Sequence, residues 1–174
     1  MRTRQKERGT PGPSEPWNEV VPGLWMGGHY CTPPGGELEP VVVGRQFDLV
    51  VSLFTLPGHG PAAGVEHVVR EVPDAPLSPG QLLAVQEAAE FTASAVRRGR
   101  RTLVRCRSGY NRSGLVAAQA LVHLGHEPAG AVRLVRERRS LWALNNPVFV
   151  DYLNTGLDVA ILLTGLSDAG RSAD

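Results

Sequence analysis

The sequence predicts an α/β fold, a central mixed, largely parallel sheet flanked by helices. Three observations carry that expectation. DLVVSLF at 48–54 is a short continuous apolar run, the mark of a buried central strand. Ser78-Pro79-Gly80-Gln81 is strong helix-start chemistry: Ser78 can cap, Pro79 suits the first helical position and Gln81 can reach back to the cap. LVRCRSGYNRSG at 103–114 places a strand signal, a polar loop and a helix signal in succession. A strand–loop–helix site at the carboxyl end of the sheet is where α/β folds carry ligands.

The remaining elements follow in order. Residues 1–16 are polar and rich in Pro, Gly and Arg, and read as a disordered tail. Val20 to Met26 and Val41–Val43 carry strand signals, separated by the Gly/Pro-rich loop GGHYCTPPGGELEP. LPGHGPAAG is a second loop, and VEHVVREV at 65–72 reads as the next strand. The helix from Ser78 is expected to end near Arg98, at the stop signals Arg97, Arg98 and Gly99. Thr102–Arg105 is a strand, and Ser113 to Leu124 an Ala-rich helix ended by Gly125. Further helices are expected at about 128–139 and 146–164. No internal repeat or linker is visible, so residues 17–166 read as one catalytic domain and 167–174 as a flexible tail.

Composition sets the bounds. The chain has 174 residues, 42% hydrophobic content and a net charge of +1, which gives no global drive toward nucleic acid or an anionic membrane. Arginine supplies 17 of the 18 basic residues, with Lys6 the lone lysine, a bias that suggests a GC-rich, bacterial genome. Two cysteines, Cys31 and Cys106, make no disulfide framework. The basic N-terminus has no apolar stretch behind it, and VAILL at 159–163 is far too short to span a bilayer. A soluble cytoplasmic protein is expected. His29, His59 and His123 are scattered and no zinc-type spacing is present, so neither metal nor cofactor is expected.

Chemistry concentrates between Cys106 and Arg112. A thiol ends a strand, five mostly small or polar residues follow, and an arginine opens a helix. Such a loop can curl its N–H groups around a tetrahedral oxyanion, with the helix N-terminus adding donors and partial positive charge. That field favours thiolate over thiol, and the planar fork of Arg112 can grip two phosphate oxygens. A nucleophile inside an anion cradle reads as phosphoryl transfer through a cysteinyl-phosphate.

These residues resemble the signature loop of cysteine-dependent protein tyrosine phosphatases, His-Cys-x-x-Gly-x-x-Arg-Ser/Thr. Cys106, Gly109, Arg112 and Ser113 match, and Arg105 stands in place of the histidine. VVPGLWMGG, VPDAPLSP, AVRLVRERRS and NNPVFVDYL resemble the opening segment, acid loop and closing helices of the dual-specificity branch. The resemblance implies a phosphotyrosine/dual-specificity phosphatase-like fold. It also implies Cys106 as nucleophile, and a phosphate cradle of Arg107, Ser108, Gly109, Tyr110, Asn111 and Arg112. Ser113 either donates to the Cys106 sulfur or caps the helix.

The resemblance further implies an aspartic acid on a loop as proton donor. Asp74 is the one Asp between Asp48 and Cys106. A helix of about 18 residues rises about 27 Å and about 7 extended residues return about 23 Å, so Asp74 can end beside the thiol. A plain turn Asp is the alternative. The family histidine supports the loop, a task Arg105 cannot reproduce in full. Arg107 either adds anion affinity or is solvated, and Tyr110 and Asn111 shape the loop or its rim. Asn145 and Asn146 are expected to cap the next helix. Cys31 is either a spectator or an oxidative partner for Cys106.

The expected substrate is a phosphoprotein bearing phosphotyrosine, with phosphoserine and phosphothreonine as further candidates. A phosphoinositide or other small phosphate ester is one alternative, and a phosphate-binding pseudophosphatase another.

Overall fold

The computed structural model describes residues 10–171. A five-stranded sheet is built from β1 (Trp17–Val21), β2 (Leu24–Gly27), β5 (Leu49–Ser52), β6 (Glu66–Val69) and β7 (Thr102–Arg105), in the order β1-β2-β7-β5-β6. β1 runs antiparallel to β2, while β2, β7, β5 and β6 are parallel. Two short strands, β3 (Tyr30–Cys31) and β4 (Glu39–Pro40), pair separately. The predicted mixed, largely parallel sheet is therefore observed.

Register fixes where the site forms. Gly27 and Ser52 both sit opposite Arg105, so the carboxyl ends of β2, β7 and β5 finish together and the chain leaves β7 at Cys106. Every residue of β5 and β7 is buried. Leu49, Val51 and Val104 face one large core that also takes the buried residues of the five helices. Val50 and Leu103 point the other way and pack with Val43, Phe47, Trp17 and Trp25. Val41–Val43 thus form no strand; Val41 and Val43 are buried as plugs while Val42 is exposed.

The helices are α1 (Pro79–Arg97), α2 (Arg112–His123), α3 (Pro128–Arg138), α4 (Pro147–Thr155) and α5 (Leu157–Arg171). α1 opens with the expected capping box: Gln81 N donates to Ser78 Oγ, and Ser78 N donates to Gln81 Oε1. The single helix expected at 146–164 is two. The chain bends by 110° at Gly156, whose φ of 92° belongs to the left-handed region that glycine tolerates. No single helix among the described residues is long and apolar enough to cross a membrane.

The described parts of both expected tails carry structure. α5 continues through residues 167–171. Residues 1–9 lie outside the described residues, but 10–16 are held by backbone acceptors. Thr32 N donates to Pro13 O, Gly28 N to Pro16 O and Tyr110 Oη to Pro11 O. Composition misses this because the carbonyls of a polar, proline-rich segment are the groups being used.

Candidate active site

Cys106, fully buried, follows β7 and begins the loop that ends at Arg112. Its Sγ lies 3.3 Å from Ser113 Oγ. Ser113 therefore contacts the thiol, and the N-cap position of α2 belongs to Asn111, whose side chain caps nothing. The first N–H groups of α2 are left without a side-chain cap, as an anion site at a helix N-terminus requires.

The loop carbonyls are all accounted for. Cys106 O lies 2.9 Å from His29 Nδ1, and Arg107 O accepts from His29 N. Ser108 O accepts from Arg139 Nη2 and Gly109 O from Arg139 Nε. Tyr110 O accepts from Leu144 N, and Asn111 O from Leu115 N. In a trans peptide the C=O and N–H groups point in opposite directions. Five of these carbonyls are held from outside the loop and the sixth by Leu115 N of α2, so the matching N–H groups of Arg107 through Arg112 point the opposite way. Gly109 has a φ of 73°, and a Cβ there would stand 2.5 Å from Gly27 C and O. Glycine is required at 109 for both reasons.

Arg112 is buried beside the Phe54 ring, its guanidinium carbon 5.1 Å from the ring centroid. Nη1 donates to Val72 O, while Nε and Nη2 have no hydrogen-bond partner among the described residues. Those two donors form one edge of the guanidinium, the edge that binds two oxygens of a carboxylate or phosphate. A buried cation with two donors so placed is suited to an anion with two adjacent oxygens.

Asp74 reaches the same loop, as the spacing allows. It is 1% exposed; Oδ2 accepts from Asn111 Nδ2 at 3.0 Å and Oδ1 from Asn146 Nδ2 at 2.8 Å. Asn146 also performs the expected cap, accepting from Val148 N, while Asn145 Oδ1 accepts from Asn111 Nδ2 instead.

Arg105 turns away from the cradle. Nε donates to Ser52 Oγ, Nη1 to His59 O and Nη2 to Gly60 O. It anchors the 59–60 loop, and burial lowers its pKa to about 10. Ser52 Oγ in turn pairs with His67 Nε2, whose pKa is lowered by burial and then by the Arg105 charge. The Arg107 guanidinium lies over Tyr30, 5.1 Å from its ring centroid, and Tyr110 directs its hydroxyl to Pro11 rather than into the cradle. Cys31 is buried and unbonded to Cys106.

Two residues supporting the loop have no sequence signal. His29 comes from the Gly-rich segment after β2. Arg139 follows α3 among several arginines, and also donates to Glu15 O and Asn18 Oδ1. Only the tertiary fold separates Arg139 from Arg138 beside it.

The chain matches no established protein family profile and no curated protein sequence. Solved structures do match. Human DUSP28 shares 25% identity with a TM-score of 0.65, over 83% of this chain and 94% of that one. A mouse putative dual specificity phosphatase, complexed with zinc tungstate, shares 23% over 91% and 98%, with a TM-score of 0.59. OH1 from Orf virus, a tyrosine phosphatase that displays triple substrate specificity, shares 18% over 85% and 91%, at 0.58. The chain has the dual-specificity phosphatase-like fold.

Proposed function

We propose that the protein is a metal-independent, cysteine-dependent phosphatase that hydrolyses phosphotyrosine, and also phosphoserine and phosphothreonine, in proteins of a reducing cytoplasm. The observation that carries this reading is the buried Arg112 edge with two unpartnered donors, on the same loop as Cys106. A phosphate monoester matches the loop N–H groups and that edge together.

In the first step the Cys106 thiolate attacks phosphorus, the P–O bond to the leaving oxygen breaks, and that oxygen takes the Asp74 carboxyl proton. In the second step water attacks phosphorus, Asp74 takes a water proton, and the S–P bond breaks to restore the thiolate. Ser113 Oγ stabilises the departing sulfur. Arg112 and the loop amides compensate charge throughout, the role a metal plays in other phosphatases. Each Asp74 oxygen accepts one amide N–H, which leaves a second position for the proton that is passed to the leaving oxygen.

The test is hydrolysis of aryl phosphate, phosphopeptides and inositol phospholipids in the presence of a chelator, with acid trapping of a phosphorylated Cys106. Turnover of phosphopeptides with label on Cys106 is expected. Preference for the lipids transfers the same chemistry to a different substrate. Binding of phosphate with no turnover of any ester makes the protein a pseudophosphatase and overturns the reading.

A further inference from the structure

We propose that His29, just after β2, is a positioning residue for Cys106, supporting the nucleophile's loop in a chain where Arg105 replaces the histidine of the signature motif. The proposal rests on the phosphatase reading only for its kinetic readout. His29 is fully buried, with Nδ1 2.9 Å from Cys106 O and its backbone N–H donating to Arg107 O. One residue thus fixes the two peptide planes that follow the thiol. A carbonyl oxygen can only accept, so Nδ1 carries the proton and Nε2 is the bare lone pair.

Nε2 has no hydrogen-bond partner among the described residues. The ring is wedged against Phe54 at 5.3 Å and His59 at 5.4 Å between centroids. The charged and titratable groups facing it are Arg105, Arg112 and His59. All three disfavour a second proton, and burial lowers the His29 pKa to about 4, so the ring stays a neutral, single donor. Arg105 does not share this work; its three nitrogens donate to Ser52 Oγ, His59 O and Gly60 O, away from the loop.

The bond has two consequences for the nucleophile. It takes up the negative end of the dipole of the nearest carbonyl, and it aims the Arg107 N–H into the cradle. Space around His29 is closed: a Cβ at the preceding Gly28 would stand 2.8 Å from the Ser108 carbonyl carbon. The backbone that carries the imidazole is therefore packed directly against the loop.

The test compares His29→Phe, which keeps a planar apolar ring without a donor, with His29→Asn, which keeps an N–H at the δ position. Alkylation of Cys106 by iodoacetamide is followed against pH by mass spectrometry of the Cys106 peptide, which needs no turnover. In His29→Phe the midpoint of alkylation is expected to rise by about one pH unit, and aryl phosphate kcat/KM to fall about tenfold. His29→Asn is expected to restore both. An unchanged midpoint in a folded His29→Phe protein, or equal defects in the two variants, overturns the positioning role. A wild type that alkylates normally yet hydrolyses nothing counts against the phosphatase reading alone. Should His29→Phe fail to fold, His29→Gln, with its donor one bond too far out, replaces it under the same criteria.

Discussion

Asn111 Nδ2 donates to Asp74 Oδ2 at 3.0 Å, joining the segment before α1 to the residue that precedes Arg112. A second bond runs in parallel, from Arg112 Nη1 to Val72 O. The proposed proton donor and the proposed phosphate grip thus share a segment, 72–74, through two bonds.

Replacing Asp74 with Asn tests the proposed proton donor through leaving groups. Proton donation matters most for a basic tyrosine or serine oxygen and little for an activated aryl oxygen. Single-turnover rates for phosphopeptide are expected to fall by about 10²–10⁴, and for the activated ester much less. Equal losses would make Asp74 a structural anchor between Asn111 and Asn146. Glu71, three residues before Asp74, is held elsewhere: its Oε1 accepts from Thr55 N and Oγ1.

Cys106→Ser is expected to abolish hydrolysis while tungstate still binds, measured by calorimetry. In the proposed mechanism attack needs the thiolate, whereas binding needs the loop amides and Arg112. Appreciable chelator-resistant turnover by the serine variant would exclude a covalent path through sulfur.

Arg112→Lys is expected to weaken tungstate binding and to lower kcat/KM by about 10² or more, because an ammonium cannot present the paired Nε and Nη2 donors. Near-normal kinetics would make Arg112 a bystander.

Arg139→Met leaves the carbonyls of Ser108, Gly109 and Glu15 and the Asn18 Oδ1 without this donor. A loss of about 2–4 kcal/mol in stability is expected. Hydrogen exchange should rise in both 10–18 and 107–111. Exchange confined to one segment would show that Arg139 does not link them.

Stability should also report on His29. Its folded pKa of about 4 lies below the ordinary 6.5, so between those values the unfolded chain binds a proton that the native chain refuses. Stability therefore falls as pH drops from about 6.5 and levels near 4, by at most about 3 kcal/mol from this group. Thermal melts of His29→Asn should show a shallower fall. A residual slope is expected from His67, whose pKa is shifted the same way. An identical slope in both proteins would show that His29 is not held neutral.

The sequence alone determined the parts whose physics is local. Cys106, Gly109 and Arg112 lie on one short loop between a strand and a helix, so spacing is enough to make them converge. The Ser78–Gln81 box needs no distant partner. Asp74 was reachable because one helix and one strand return the chain over a known length. Tertiary structure decided what depends on which distant group fills an acceptor's needs. His29 Nδ1 meets a carbonyl 77 residues away, Arg139 bridges residues 15 and 109, and Arg105 departs from the cradle for the 59–60 loop. Backbone carbonyls are the same at every position, so residue types carry no sign of which one a buried donor will find.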